Sequence, residues 1–230
     1  GWYPAFFENH DQPRSTVNYF QCAGSLASRA KVLGAVLLTT RGTPFLMQGE
    51  ELGYGNASWK SIDEFDDLST RNQYEFALGE GLSEAEALAA CVRYSRDNAR
   101  TPMQWDATEN AGFSTARPWL PVHDDYEICN VAAQEDDPHS VLSWYRELAA
   151  LRTETPALGA GDWTELMADD EQVMAFERRL GDERVVVLAN FSDAEAAYGR
   201  DLIDGLTPLL GTDGTPSVGA LRPLEAVIWG

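Results

Sequence analysis

Between Ser25 and Arg41, apolar residues fall at Leu26, Ala30, Leu33 and Leu37, the spacing of one helical face, and the run stops at a basic residue followed by Gly42 and Pro44. Short apolar stretches flank this helix, Ala5 to Phe7 before it and Pro44 to Met47 after it, and both read as buried strands. Strand, helix, strand in that order places the two strands parallel and side by side. Such sheets keep their chemistry at the C-terminal edge, so the residues that follow each strand matter most. After the first strand comes Glu8-Asn9-His10-Asp11-Gln12-Pro13-Arg14, and after the second Gln48-Gly49-Glu50-Glu51-Leu52-Gly53.

Residues 54 to 138 read as an insertion of helices and loops. Ser83 with Glu86 three residues later is a capping-box pattern, which predicts a helix from about residue 84 that delivers Arg96 just past its end. Pro102 forbids further helix, and Asn110 to Pro121 reads as an ordered loop. Asp137-Pro138 opens a last helix whose Val141, Trp144, Tyr145, Leu148 and Leu151 form an apolar core stripe, and which ends before Pro156. Beyond it the period becomes alternating: Gln172 to Arg179 and Glu183 to Phe191 flank Gly181-Asp182 as a hairpin, Asp213-Gly214 marks a turn, and Leu224 to Trp229 reads as a strand. The expected organisation is an α/β region over 1–155 and a small antiparallel β-sandwich over 156–230.

Composition narrows the function. Seventeen basic residues against thirty-seven acidic ones give a net charge of −20 over 230 residues, a field that repels phosphate backbones and anionic lipid. Nucleic acid and membrane are therefore excluded as expected partners, and the longest apolar run, Val32 to Leu38, is interrupted by Gly34 and far shorter than a bilayer span. Cys22, Cys91 and Cys129 are widely spaced without a CxxC pair, which suggests reduced thiols, a cytoplasmic protein and neither a zinc site nor a disulfide framework. No cofactor is implied. Gly1 in place of methionine, directly before a strand, points to a true N-terminus elsewhere.

Three motifs, Asn9 to Arg14, Thr43 to Gly53 and Ser95-Arg96-Asp97-Asn98-Ala99-Arg100-Thr101-Pro102-Met103-Gln104-Trp105-Asp106, in that order, resemble the C-terminal part of an α-glucosidase of the α-amylase family, nearest the oligo-1,6-glucosidase and dextran glucosidase branch. The resemblance implies a TIM-type (β/α)8 barrel. A complete one needs about 250 residues, so this chain has room for only its last two βα units, the seventh and eighth, followed by the β domain. In retaining members one carboxyl protonates the leaving oxygen and another, about 5 to 5.5 Å away, is the nucleophile. By resemblance these follow the fourth and fifth strands, outside this chain, which is then expected to be inactive alone and to need the missing barrel portion or self-association to cover its open strands.

What the chain would supply, by the same resemblance, is the transition-state-stabilising carboxylate Asp11 and its sugar-binding neighbour His10. Arg96 would close the pocket around the non-reducing end of an α-glucoside oligosaccharide, with Arg100 a second candidate and Arg14 on the rim. Without the motif, a His-Asp pair after a strand reads as a structural hydrogen bond and the arginines as surface ion-pair partners. Ser69 stands where relatives often carry a glutamate facing the second sugar. Glu50 and Glu51 read as loop anchors rather than an acid and nucleophile pair, because adjacent residues diverge. Trp105, Phe113 and Trp119 read first as packing and second as stacking platforms, and His123 and His139 as surface residues. A non-catalytic carbohydrate-binding or assembly module is the competing expectation. Sucrose isomerase is a lesser one, since Ser15 to Asn18 lacks the charged cluster of those enzymes.

Overall fold

A computed structural model describes residues 2–230. The elements run β1 (Pro4–Ala5), α1 (Ser15–Asn18), α2 (Leu26–Thr39), β2 (Thr43–Pro44), α3 (Leu68–Gly79), α4 (Glu84–Tyr94), α5 (Val131–Gln134), α6 (Val141–Glu154), α7 (Pro156–Ala160), β3 (Asp162–Glu165), β4 (Val173–Leu180), β5 (Glu183–Asn190), β6 (Ala196–Ala197), β7 (Pro208–Gly211), β8 (Ala220–Leu221) and β9 (Ala226–Trp229). They form two compact units interleaved in sequence, one of Gly1–Phe7, Cys22–Phe45 and Pro138–Gly230, the other of Glu8–Gln21 and Leu46–Asp137. The single boundary expected near residue 155 therefore falls inside the first unit. Helices α2 and α7 contact the sheet that follows in sequence, and α6 packs on both of them.

In the first unit β1 and β2 are parallel, with Pro4 opposite Thr43 and Ala5 opposite Pro44, as the strand-helix-strand order requires. Both strands are only two residues long, and Trp2, Tyr3, Phe6 and Phe45 beside them are exposed. Ser25 caps α2, its side chain accepting from the Ser28 N–H, and Gly34 admits α6: a Cβ there would lie 2.7 Å from the Tyr145 ring. The last carbonyls of α2 would be orphans. Arg152 donates to the oxygens of Leu38 (2.8 Å) and Thr40 (3.1 Å), and Arg178 to that of Thr39 (2.6 Å). Burial, reinforced by the positive charge of Arg152, lowers the Arg178 pKa to about 10.

The same unit holds a five-stranded antiparallel sheet in the order β3-β4-β5-β9-β7. Alternation along its strands splits the side chains between two faces. Val173, Ala175, Val186, Leu188, Val227 and Trp229 pack with Ala196, Tyr198 and Leu221 from the β6–β8 ribbon and its neighbours, whereas Phe176, Val185, Val187 and Ile228 take the opposite face. The second layer expected of a sandwich is thus only a two-stranded ribbon.

The second unit is mostly loop. Its apolar core is small: Trp59 stacks on Phe65 with centroids 4.2 Å apart, joined by Ala57, Cys91 and Leu120. The capping box at α4 is present, with Ser83 accepting from Glu86 N–H and Glu86 accepting from Ser83 N–H. No helix among the described residues is long and apolar enough to cross a membrane.

Candidate functional site

All of the charged candidates lie in the second unit. Asn9 shapes the first turn: its side-chain oxygen accepts from the Asp11 N–H at 2.8 Å, the Asx geometry that lets a short loop turn without secondary structure. The turn presents His10 and Asp11 outward, with side chains 73% and 51% exposed and His10 Nε2 3.2 Å from Asp11 Oδ2. Ser95 ends α4 and starts a 3-10 turn over Arg96–Ala99 by accepting from the Asp97 N–H at 3.1 Å. That turn projects Arg96 and Arg100 toward the same carboxylate. Arg96 Nη1 donates to Asp11 Oδ1 at 3.1 Å and Arg100 Nη2 to the same oxygen at 3.0 Å, while Arg100 Nε holds the His10 carbonyl at 2.8 Å.

Each arginine is anchored behind by a buried aspartate that the sequence reading missed. Arg96 Nη2 meets Asp67 Oδ1 at 2.7 Å, and Asp67 also caps α3 by accepting from Thr70 N–H and Oγ1–H. Burial would raise the Asp67 pKa, but hydrogen bonds from Arg96 and Thr70 outweigh it and hold the carboxyl at about 2. Arg100 Nη1 meets Asp97 Oδ1 at 3.2 Å, and Asp97 Oδ2 accepts from the backbone N–H groups of Asp66 and Asp67, each at 2.8 Å. The signal for Asp67 was present in the sequence as an N-cap followed by Thr70 three residues on. Asp97 carried none.

Arg14 is a correction. It is fully buried, so it reaches no rim; its guanidinium pairs with Glu8 at 2.9 Å, because a charge in the interior needs an opposite charge and acceptors around it. His123 is likewise not a surface residue: its Nε2 lies 2.7 Å from the Asn56 carbonyl and its Nδ1 2.6 Å from Asp125. Burial would lower its pKa, but the Asp125 carboxylate raises it. Trp105, Phe113 and Trp119, expected to pack, are exposed. Glu50 and Glu51 serve their own turn, accepting from the N–H groups of Met47 (3.1 Å) and Gly49 (2.8 Å). Burial and the nearby Glu8 raise the Glu50 pKa to about 8. Beside Arg96 an open hollow of about 410 Å³ is lined by Leu68, Ser69, Asn72, Gln73 and Phe76 of α3. Among the described residues no three His, Cys, Asp or Glu side chains are arranged to hold a metal.

Asp11 is thus an outward-facing carboxylate with one oxygen held by two anchored guanidiniums and the other beside His10. In sequence, this cluster begins just after the first of two parallel strands. The chain belongs to the α-amylase family: the profile of the alpha amylase catalytic domain matches residues 1–161. It is 38% identical to oligo-1,6-glucosidase of Parageobacillus thermoglucosidasius over 86% of this chain and 35% of that protein. To trehalose-6-phosphate hydrolase of Bacillus subtilis it is 34% identical over 100% of this chain and 42% of that protein. Among solved structures, a mutant of Bacillus licheniformis trehalose-6-phosphate hydrolase in complex with PNG superposes with a TM-score of 0.93 at 33% identity, covering 100% of this chain and 43% of that one. A mutant of MutB in complex with sucrose gives 0.89 at 35% identity and the same coverages. The chain therefore spans about two-fifths of the length of these relatives.

Proposed function

We propose that this chain is the C-terminal portion of a retaining α-glucosidase that acts at the non-reducing end of short α-glucosides, contributing the seventh and eighth βα units of the barrel and the β domain. The observation that carries the reading is the Asp11 carboxylate, clamped on Oδ1 by Arg96 and Arg100 and approached on Oδ2 by His10, with half of its side chain open to solvent. In that role Asp11 and His10 bind the hydroxyls of the sugar whose bond breaks, and the fixed carboxylate stabilises the positive charge that develops at the ring in an oxocarbenium-like transition state. Arg96 and Arg100 hold Asp11 in place and close the pocket. Ser69, in the hollow beside Arg96, faces the second sugar, and its short hydroxyl leaves more room there than a glutamate would.

The acid and the nucleophile belong to polypeptide outside this chain, since Glu50 and Glu51 are engaged by their own turn. The exposed aromatic residues beside β1 and β2 are the surface that the rest of the barrel covers. The 230-residue chain alone is then expected to give no turnover of 4-nitrophenyl α-glucoside. In the full-length enzyme, Asp11→Asn should lower kcat by about 10²–10³-fold with the fold intact by circular dichroism. Wild-type turnover in that variant would remove Asp11 from the role. Saccharide binding without any turnover by the unaltered full-length protein would instead identify a non-catalytic module.

A further inference from the structure

The guanidinium of Arg14 touches three separate segments of the site. Its Nη1 donates to Glu8 Oε2 at 2.9 Å and to the Gln48 carbonyl at 2.8 Å, and its Nε donates to the Asn98 carbonyl at 3.1 Å. The plane lies 5.1 Å from the centroid of the Tyr54 ring, and the Arg14 N–H is held by Asn56 Oδ1 at 3.1 Å. Glu8 stands three residues before Asp11 and is fixed on its other oxygen by the Ser15 N–H (2.8 Å) and hydroxyl (2.7 Å). Asn98 stands midway between Arg96 and Arg100. Its side chain accepts from Ala57 N–H and Trp59 Nε1 and donates to the carbonyls of Val92 and Ser95.

We propose that Arg14 is the positioning residue of this site: one buried guanidinium that sets the distance between the turn carrying Asp11 and the turn carrying Arg96 and Arg100. The inference rests on the role given to Asp11 above. Asp67 and Asp97 anchor Arg96 and Arg100 within their own turn, but Asp11 is half exposed on the other turn, and a water-facing ion pair does not by itself hold two turns at a 3 Å spacing. Their alignment follows from where the two turns place their backbones, and Arg14 bridges those turns through Glu8 and Asn98. The planar fork fixes the angle between the Nε donor that meets Asn98 and the Nη1 donors that meet Glu8 and Gln48, so the three segments are held in one set geometry. An ammonium at the end of a lysine keeps the charge that Glu8 needs but not the fork.

The test uses the full-length enzyme, with active sites counted by titration against a tight-binding iminosugar and kinetics measured well below the melting temperature. Arg14→Lys should leave the count of sites normal while KM rises and kcat/KM per counted site falls by about ten- to a hundredfold, the scale of a misplacement of about 1 Å. A purely structural role would lower the count and leave KM per site unchanged, and wild-type kcat and KM per site would overturn the proposal. If Arg14→Lys does not fold, Glu8→Gln keeps an acceptor for Ser15 and removes the charge from one bridge; a smaller rise in KM is expected, and an unchanged KM would overturn the proposal. Asp11→Asn run in parallel separates the two readings. An active Asp11→Asn sinks the role of Asp11 itself, whereas an inactive Asp11→Asn beside a wild-type Arg14→Lys sinks only the positioning role.

Discussion

The two compact units are held together by different forces. In the first, a continuous sheet buries Val185 to Ala189 and Ala226 to Ile228 almost completely, and stability scales with apolar area removed from water. In the second, the apolar cluster around Trp59 and Phe65 is small, and buried polar groups, among them Glu8, Arg14, Asp67, Asp97, Asn98 and Gln104, are about as numerous as buried apolar ones. Non-directional burial tolerates imprecision, whereas a buried charge is stable only when its partners are placed to within a few tenths of an ångström. The unit that carries the clamp on Asp11 is the one built on directional bonds.

That contrast can be broken most severely in the sheet. Phe176→Ala removes a fully buried ring from the first unit and should cost about 3–5 kcal/mol, read as a shift in the urea midpoint. A loss below 1 kcal/mol would mean that the sheet is not carried by packing. The second unit should instead respond to acid. Asp67 titrates near 2 when folded against an ordinary 3.8, so its contribution is fully present above about pH 4 and disappears as pH falls through about 2. Amide exchange of residues 66, 67 and 70 should therefore accelerate in that window relative to β4 and β5, and equal acceleration of both units would refute the difference. The smallest effect belongs to a local device. Ser83→Ala deletes the cap of α4 and should cost about 1 kcal/mol, with little change in a sheet reporter such as Trp229 fluorescence.

Legibility in the sequence follows the same division. Helices α2, α4 and α6 and the β4–β5 hairpin were readable because apolar period, capping box and Gly181-Asp182 turn are local signals. The parallel relation of β1 and β2 followed from their order alone. The clamp was half readable: Asp11, His10, Arg96 and Arg100 come together as the motifs implied, although 85 residues separate Asp11 from Arg96. Asp97 went unread because its partners are backbone N–H groups 30 and 31 residues away, a relation no periodicity encodes. Arg14 was placed on the wrong side of the surface for a related reason. A guanidinium two residues past a turn looks solvent-bound until Glu8, Gln48 and Asn98 are seen to enclose it.

The sheet order carries one more implication. The strand contributed by Ala226–Trp229 lies between β5 and β7, bonded on both edges, and is therefore interior although it follows both of them in sequence. During synthesis β5 waits with an unpaired edge until residue 229 emerges. A nascent chain stalled a few residues earlier would expose that edge to whatever strand is nearby, which makes the arrival of Ala226–Trp229, rather than collapse of the helices, the step that protects this sheet from aggregation.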